Sequence, residues 1–148
     1  MAITIKVKNA ANTIAGLQRL SAEFVAATQR GVQRGGDAVK TILIDATPIG
    51  RGENPGNMRR SYVMDYVKSS NGATAKITNT APYQQWVLAG RGPVRAVNGK
   101  YLRFVINGRV FYRTSVRAAK ANPFDERVEP QMTAAAQNAI DTEIAKVK

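Results

Sequence analysis

The segment from Lys100 to Thr114 reads KYLRFVINGRVFYRT and turns back on itself at Asn107-Gly108. Asn-Gly between two alternating runs is the sequence of a type I′ hairpin, because both central turn positions require positive φ. Successive strand residues point to opposite faces. Leu102, Phe104 and Ile106 therefore share one face, and Tyr101, Arg103 and Val105 share the other. On the return strand Val110 and Tyr112 alternate with Arg109, Phe111 and Arg113. Basic residues fall at regular strand steps, which predicts a positively charged sheet face carrying Arg103 and Arg113.

Working outward, Ser61–Ser69 has strand composition, Ser70-Asn71-Gly72 is a turn signal, and Ala73–Thr78 supplies a return strand. Ala81–Leu88 reads as one or two helical turns. Trp86 there is either a base-stacking aromatic or a core aromatic, and its neighbours Val87 and Leu88 favour the core. Ile49–Asn57 and the segment from Gly90 to Gly99 read as glycine-rich loops, and Val116–Ala121 as a basic connector. The first of these loops lacks the spacing of a phosphate-binding loop.

The chain ends have a different period. From Thr13 to Ala46 apolar residues recur at three- and four-residue steps, which predicts a long amphipathic helix, stopped at Thr47-Pro48. Gly31, Gly35 and Gly36 weaken its middle, so a bend or break is expected near Gly35-Gly36. Ala2–Lys8, AITIKVK, alternates like a strand. At the other end Asn122 is expected to cap a helix with Pro123 in its first position, and Asp125 and Glu126 suit the helix dipole. Pro130 is expected to kink that helix or separate its first turn. Met132, Ala135, Ala139, Ile140, Ile144 and Val147 then form one apolar stripe. Hairpins in the middle and helices at the ends predict a single α+β domain over 1–148. Its antiparallel hairpins form a sheet packed against the long N-terminal helix and the C-terminal helix.

Composition narrows the chemistry. The 148 residues contain no cysteine and no histidine, which excludes disulfides, thiolate ligands and imidazole catalysis. The acidic residues form no metal-binding spacing, and Ser61 and Ser115 sit in no nucleophile motif. No enzyme activity and no cofactor is expected. No apolar run is long enough to span a membrane, and the reading is a protein made in a cytoplasm. The formal net charge is +12, and no acidic residue occurs between Asp65 and Asp125, a stretch with ten basic ones. A basic middle and a mildly acidic tail suit a polyanion or a neighbouring copy.

Four segments, taken in order, carry a family resemblance. They are Thr47-Pro48; Gly56-Asn57-Met58-Arg59-Arg60-Ser61; Asn79-Thr80-Ala81-Pro82-Tyr83 leading to Gly90; and Asn122-Pro123-Phe124. This succession resembles the neck proteins of long-tailed bacteriophages, the head–tail joining or tail-completion family of the lambda gpZ type. The link from Ile49 to Pro55 is longer than the family's, and Leu88 stands where an acid is common. The resemblance implies a virion structural protein of the neck or tail, assembled in the host cytoplasm as a homo-oligomeric, hexameric ring. Its neighbours would be connector or head-completion proteins and the tail terminator or tail tube, with genomic DNA passing through. Met58 would anchor the turn into the first strand, with Arg59 and Arg60 facing out. Arg91, Arg95, Arg103 and Arg113 would meet either DNA or the adjacent copy. A tail terminator, a sequence-independent nucleic-acid-binding protein and a small nuclease are the alternatives.

Overall fold

The computed structural model describes residues 10–50 and 54–147. The expected strand at Ala2–Lys8 lies outside the described residues. The fold is α+β, with a long N-terminal helix, two antiparallel hairpins and a C-terminal helix.

Helix α1 runs from Ala10 to Ala46 without a break. Its 37 residues span about 55 Å at 1.5 Å per residue. The break expected at Gly35-Gly36 does not occur, because the glycines are contact points. A Cβ on Gly31 would lie 2.7 Å from the Ile140 Cα, and one on Gly35 would lie 3.2 Å from the Ala136 Cα. Both partners belong to helix α4, Phe124–Ile144, which runs antiparallel along α1. On another side, a Cβ on Gly36 would meet the Met64 Sδ at 2.6 Å and the Ala75 Cβ at 2.9 Å. Those residues lie on strands β1 (Tyr62–Ser69) and β2 (Gly72–Asn79). Three glycines thus seat two different elements on one helix, and that packing offsets their poor helix propensity.

Helix α4 begins one residue later than expected. Pro123 precedes the first turn, and the Asn122 side chain accepts a bond from Arg127 Nη2 at 2.6 Å rather than capping the helix. Pro130 lies inside α4 and does not detach its first turn. Its missing N–H would ordinarily destabilise a helix, and the close packing of α4 along α1 offsets that cost.

The two hairpins stay apart as separate two-stranded sheets. β1 pairs with β2 from Tyr62↔Asn79 to Ser69↔Gly72, and this hairpin lies against α1. Its tip is tied there: Tyr66 Oη donates to the Gln29 carbonyl at 2.7 Å, and Gln29 Nε2 donates to the Ser69 carbonyl at 2.9 Å. The second hairpin is β4 (Leu102–Ile106) with β5 (Arg109–Arg113). Asn107 has φ 50° and Gly108 φ 75°, as the type I′ reading requires.

The core sits at the C-terminal end of α1. Met58, from the short helix α2 (Asn57–Arg60), packs with Ala81 and Phe124. Ala46, Tyr83, Val87 and Leu88 close around them, the last three beside or within the short helix α3 (Gln84–Ala89). The segments that carry the family resemblance therefore converge on one node. Gly56 enters α2 at φ 75°, and Pro82 sits exposed beside Ala81.

Two helix substitutions separate propensity from packing. Gly16 has nothing within 4 Å of an added Cβ, so Gly16→Ala should raise stability by up to about 1 kcal/mol. Gly31→Ala gains the same propensity but drives a methyl into the α4 backbone. It should lower stability by about 1–3 kcal/mol in urea denaturation.

Candidate functional site, a basic two-stranded arm

The segment between Gly90 and Gly99 is not a free loop, and Val116–Ala121 is not a simple connector. They pair. β3 (Val94–Arg95) and β6 (Ser115–Val116) are antiparallel, with Val94 opposite Val116 and Arg95 opposite Ser115. Below them Arg91 bridges Ala119, with N–H to O distances of 3.0 and 2.9 Å. Above them the chain makes an excursion through a 3₁₀ turn at Val97–Gly99 before β4 resumes the pairing. Arg91–Ile106 and Arg109–Ala119 thus form one interrupted antiparallel ribbon. Its eleven-residue return strand reaches roughly 35 Å at about 3.3 Å per residue.

Gly90 makes the root possible. Its φ is +77°, and a Cβ there would lie 2.7 Å from the Ala119 carbonyl oxygen and 2.8 Å from the Ala121 nitrogen. Asn122 N–H, donating to the Val87 and Leu88 carbonyls, ties the other strand to the end of α3. Beyond this root the arm leaves the body. Among the described residues, none from Pro82 to Pro123 is buried.

The register corrects the expected sheet face. Leu102 stands opposite Arg113, and Arg103 stands opposite Tyr112. Directly paired residues share a face. Arg113 therefore lies with Leu102, Phe104, Ile106, Arg109 and Phe111, whereas Arg103 lies with Val105, Val110 and Tyr112. Arg103 and Arg113 are on opposite faces, and the arm has cations on both sides. The two-residue Asn107-Gly108 loop already dictates this register, so the correction was available from the sequence. Phe104 and Phe111 stack across the strands, with ring centroids 6.0 Å apart and planes at 17°.

Arg91 and Arg95 lie in the lower half of the same ribbon. Trp86 is 53% exposed and is not a core residue. It borders a depression at the arm root together with Tyr83, Arg91 and Lys120. Its six-residue helix is too short to turn every apolar side chain inward.

The other motif residues do structural work that spacing alone left open. Arg59 does not face out. Its Nε donates to the Thr47 carbonyl at 2.7 Å and its Nη2 to the Asp45 carbonyl at 3.1 Å, which satisfies terminal carbonyls of α1. Arg60 bonds the Pro55 carbonyl. Ser61 Oγ donates to the Asn57 carbonyl, and Asn79 Nδ2 donates to the Met58 carbonyl, so the turn around Met58 is bonded from both sides. Thr47 is fully buried and shares a hydrogen bond with Tyr62 Oη at 3.1 Å.

A second charged cluster was missed in the sequence. Glu143 is 2% exposed on α4 and faces α1. Arg30 Nε donates to it at 3.0 Å, Lys146 Nζ at 2.5 Å, and Arg34 makes a third ion pair. The hydrogen bonds from Lys146 and Arg30, helped by the Arg34 charge, hold its carboxyl at about 2 against an ordinary 4.5, although burial acts the other way. The three cations are half exposed, so the cluster is a strap between helices with its positive ends in water.

Two substitutions test the core and the charged cluster. Phe124→Ala should lower stability by about 3–5 kcal/mol, the range for an aromatic removed from a closed core, as measured by urea denaturation. The carboxyl of Glu143 is depressed on folding, so its contribution is complete above about pH 4.5 and is lost as pH falls toward 2. The melting temperature of Glu143→Gln should therefore be lower than that of the parent at pH 7, and the gap should shrink steadily between pH 4.5 and pH 2.

No protein-family model matches this sequence, and neither the curated proteins nor the solved structures contain a significant match to the chain.

Proposed function

We propose that the protein is a structural subunit of the neck of a tailed bacteriophage, a homo-oligomeric ring through which genomic DNA passes. The family resemblance of the four motif segments suggests the place, and the physical character of the subunit supports the role. One observation carries it: two projections of the chain have no partner among the described residues. The first is the arm. A two-stranded hairpin with no third strand or helix against it is marginal in water. The second is the start of α1. The β1–β2 tip and the end of α4 both stop near Ala27 and Gln29, yet α1 continues, with Ala15 to Phe24 all exposed. Leu17, Leu20 and Phe24 make an apolar stripe there, at 62%, 44% and 48% exposure. A free helix of that length is also marginal. A subunit that leaves such surfaces open is suited to burial between copies.

A sequence-independent nucleic-acid-binding protein is the second reading, favoured by the concentration of basic residues on the arm.

Light scattering and negative-stain electron microscopy of the purified protein should show a discrete multimer with a central opening. Leu17→Ser with Phe24→Ser should reduce that multimer to smaller species, with a loss of helical circular dichroism no larger than the start of α1 contributes. A monomer at every concentration and salt would remove the ring. Mass spectrometry of tailed particles from cells carrying the gene should find the chain in the particle, and its absence there would remove the neck assignment.

A further inference from the structure

The charge of this molecule is segregated. Arg91, Arg95, Lys100, Arg103, Arg109, Arg113, Arg117 and Lys120 put eight cations on the arm, with no carboxylate. Elsewhere in the described residues ten cations face nine carboxylates, which is close to neutral. None of the arm cations is in an ion pair among the described residues. The Arg91 and Arg113 side chains donate only to backbone carbonyls of the adjoining residues, Gly92 and Tyr112.

A second copy of this chain is a poor match for that charge. The richest unpaired acidic stretch on the body is the start of α4, with Asp125, Glu126 and Glu129, and Arg127 interrupts it. Three carboxylates do not balance eight cations. The placement of the cations matters as much as their number. Arg103 projects from one face of the ribbon and Arg109 and Arg113 from the other. A flat acidic protein surface can reach only one face at a time. A groove walled by phosphates reaches both. The major groove of B-form DNA is about 12 Å wide and admits a two-stranded ribbon, whereas that of A-form RNA is too narrow.

We propose that the arm is a duplex-DNA-binding ribbon that lies in the groove and pairs with phosphates along both walls, without reading sequence. The inference rests on the neck reading only for the source of the DNA. Trp86, exposed beside Arg91 and Lys120 at the root, is then close enough to the duplex to report on it. It is the only tryptophan in the chain.

The test uses the full-length protein, a 30-base-pair DNA duplex of arbitrary sequence, and sodium chloride from 50 to 200 mM. Binding is read by anisotropy of the labelled duplex and by Trp86 fluorescence. Engagement of six or more arm cations gives a slope of log K against log salt of about −5 or steeper, and so an affinity loss of about a thousand-fold or more over this range. Arg103→Gln and Arg113→Gln should each flatten the slope by about one, and together by about two. Lys68→Gln with Lys76→Gln, the same charge change on the body, should leave the slope unchanged. Matching melting temperatures confirm that each variant is folded.

Several results would overturn the proposal. One is equal slopes for the arm and body double variants. Another is an effect from only one of Arg103 and Arg113, which would mean one-sided contact. Duplex RNA or polyglutamate binding as tightly as duplex DNA, or Trp86 fluorescence that ignores the duplex, would do the same. Light scattering in the same buffers keeps the two readings separate. A ring that ignores DNA defeats the arm proposal alone, and a monomer that binds DNA through the arm defeats the ring alone.

Discussion

The close approach of α4 and the β1–β2 hairpin to α1 is the constraint on which the rest of the molecule depends. Gly31 brings the α4 backbone closer than a Cβ would permit, Gly35 brings it to a distance at which a Cβ would be tight, and Gly36 lets Met64 and Ala75 approach as closely as Gly31 lets α4. The protein is small and its buried apolar set is short: Ala27, Met58, Tyr62, Ala81 and Phe124 among the described residues. With so few buried side chains, tight backbone contact supplies much of the dispersion and apolar burial available. Glu143 adds direction to this contact. A buried carboxylate with three cations around it tolerates little sliding of α4 along α1, because any shift would leave the charge unpaired.

Once α1 is fixed, its C-terminal end organises everything that follows. Arg59 takes the last carbonyls of the helix, Thr47 bonds Tyr62, and Met58, Ala81 and Phe124 close the node. This node joins α2, the start of β1, the end of β2, the root of α3 and the start of α4. The arm leaves the body between the last two. Its root is rigid because Gly90 crosses against Ala119 and Ala121, and Asn122 is bonded to the end of α3. The body thus holds a long, charged ribbon in a defined direction while contributing little to its faces.

That division of labour explains the odd balance of the surface. Twelve large apolar side chains are exposed among the described residues, and eight of them lie on the start of α1 and along the arm. Solubility is supplied by charge, and eight of the basic residues that supply it are on the arm itself. Repulsion between like charges on such a surface opposes its association with itself until they are neutralised.

Local chemistry alone determined the α+β class, the hairpin at Asn107-Gly108, the stop at Thr47-Pro48 and the stripe of α4. Each depends on φ restrictions or side-chain period within a few residues. The opposite faces of Arg103 and Arg113 were equally local, since a two-residue loop leaves one register. The tertiary structure decided the rest, because the determining partners are distant in the chain. Gly35 reads as a helix breaker until Ala136 lies against it. Arg59 reads as a surface cation until the end of α1 offers its carbonyls. Glu143 reads as one more exposed acid in a helix until Arg30 and Arg34 surround it. Gly90–Gly99 reads as a loop because its partner strand lies beyond an entire hairpin, and the excursion at Val97–Gly99 removes the alternation that would have revealed the pairing. Propensity and period describe what a segment prefers alone. Close approach, capping and charge pairing depend on what is brought beside it.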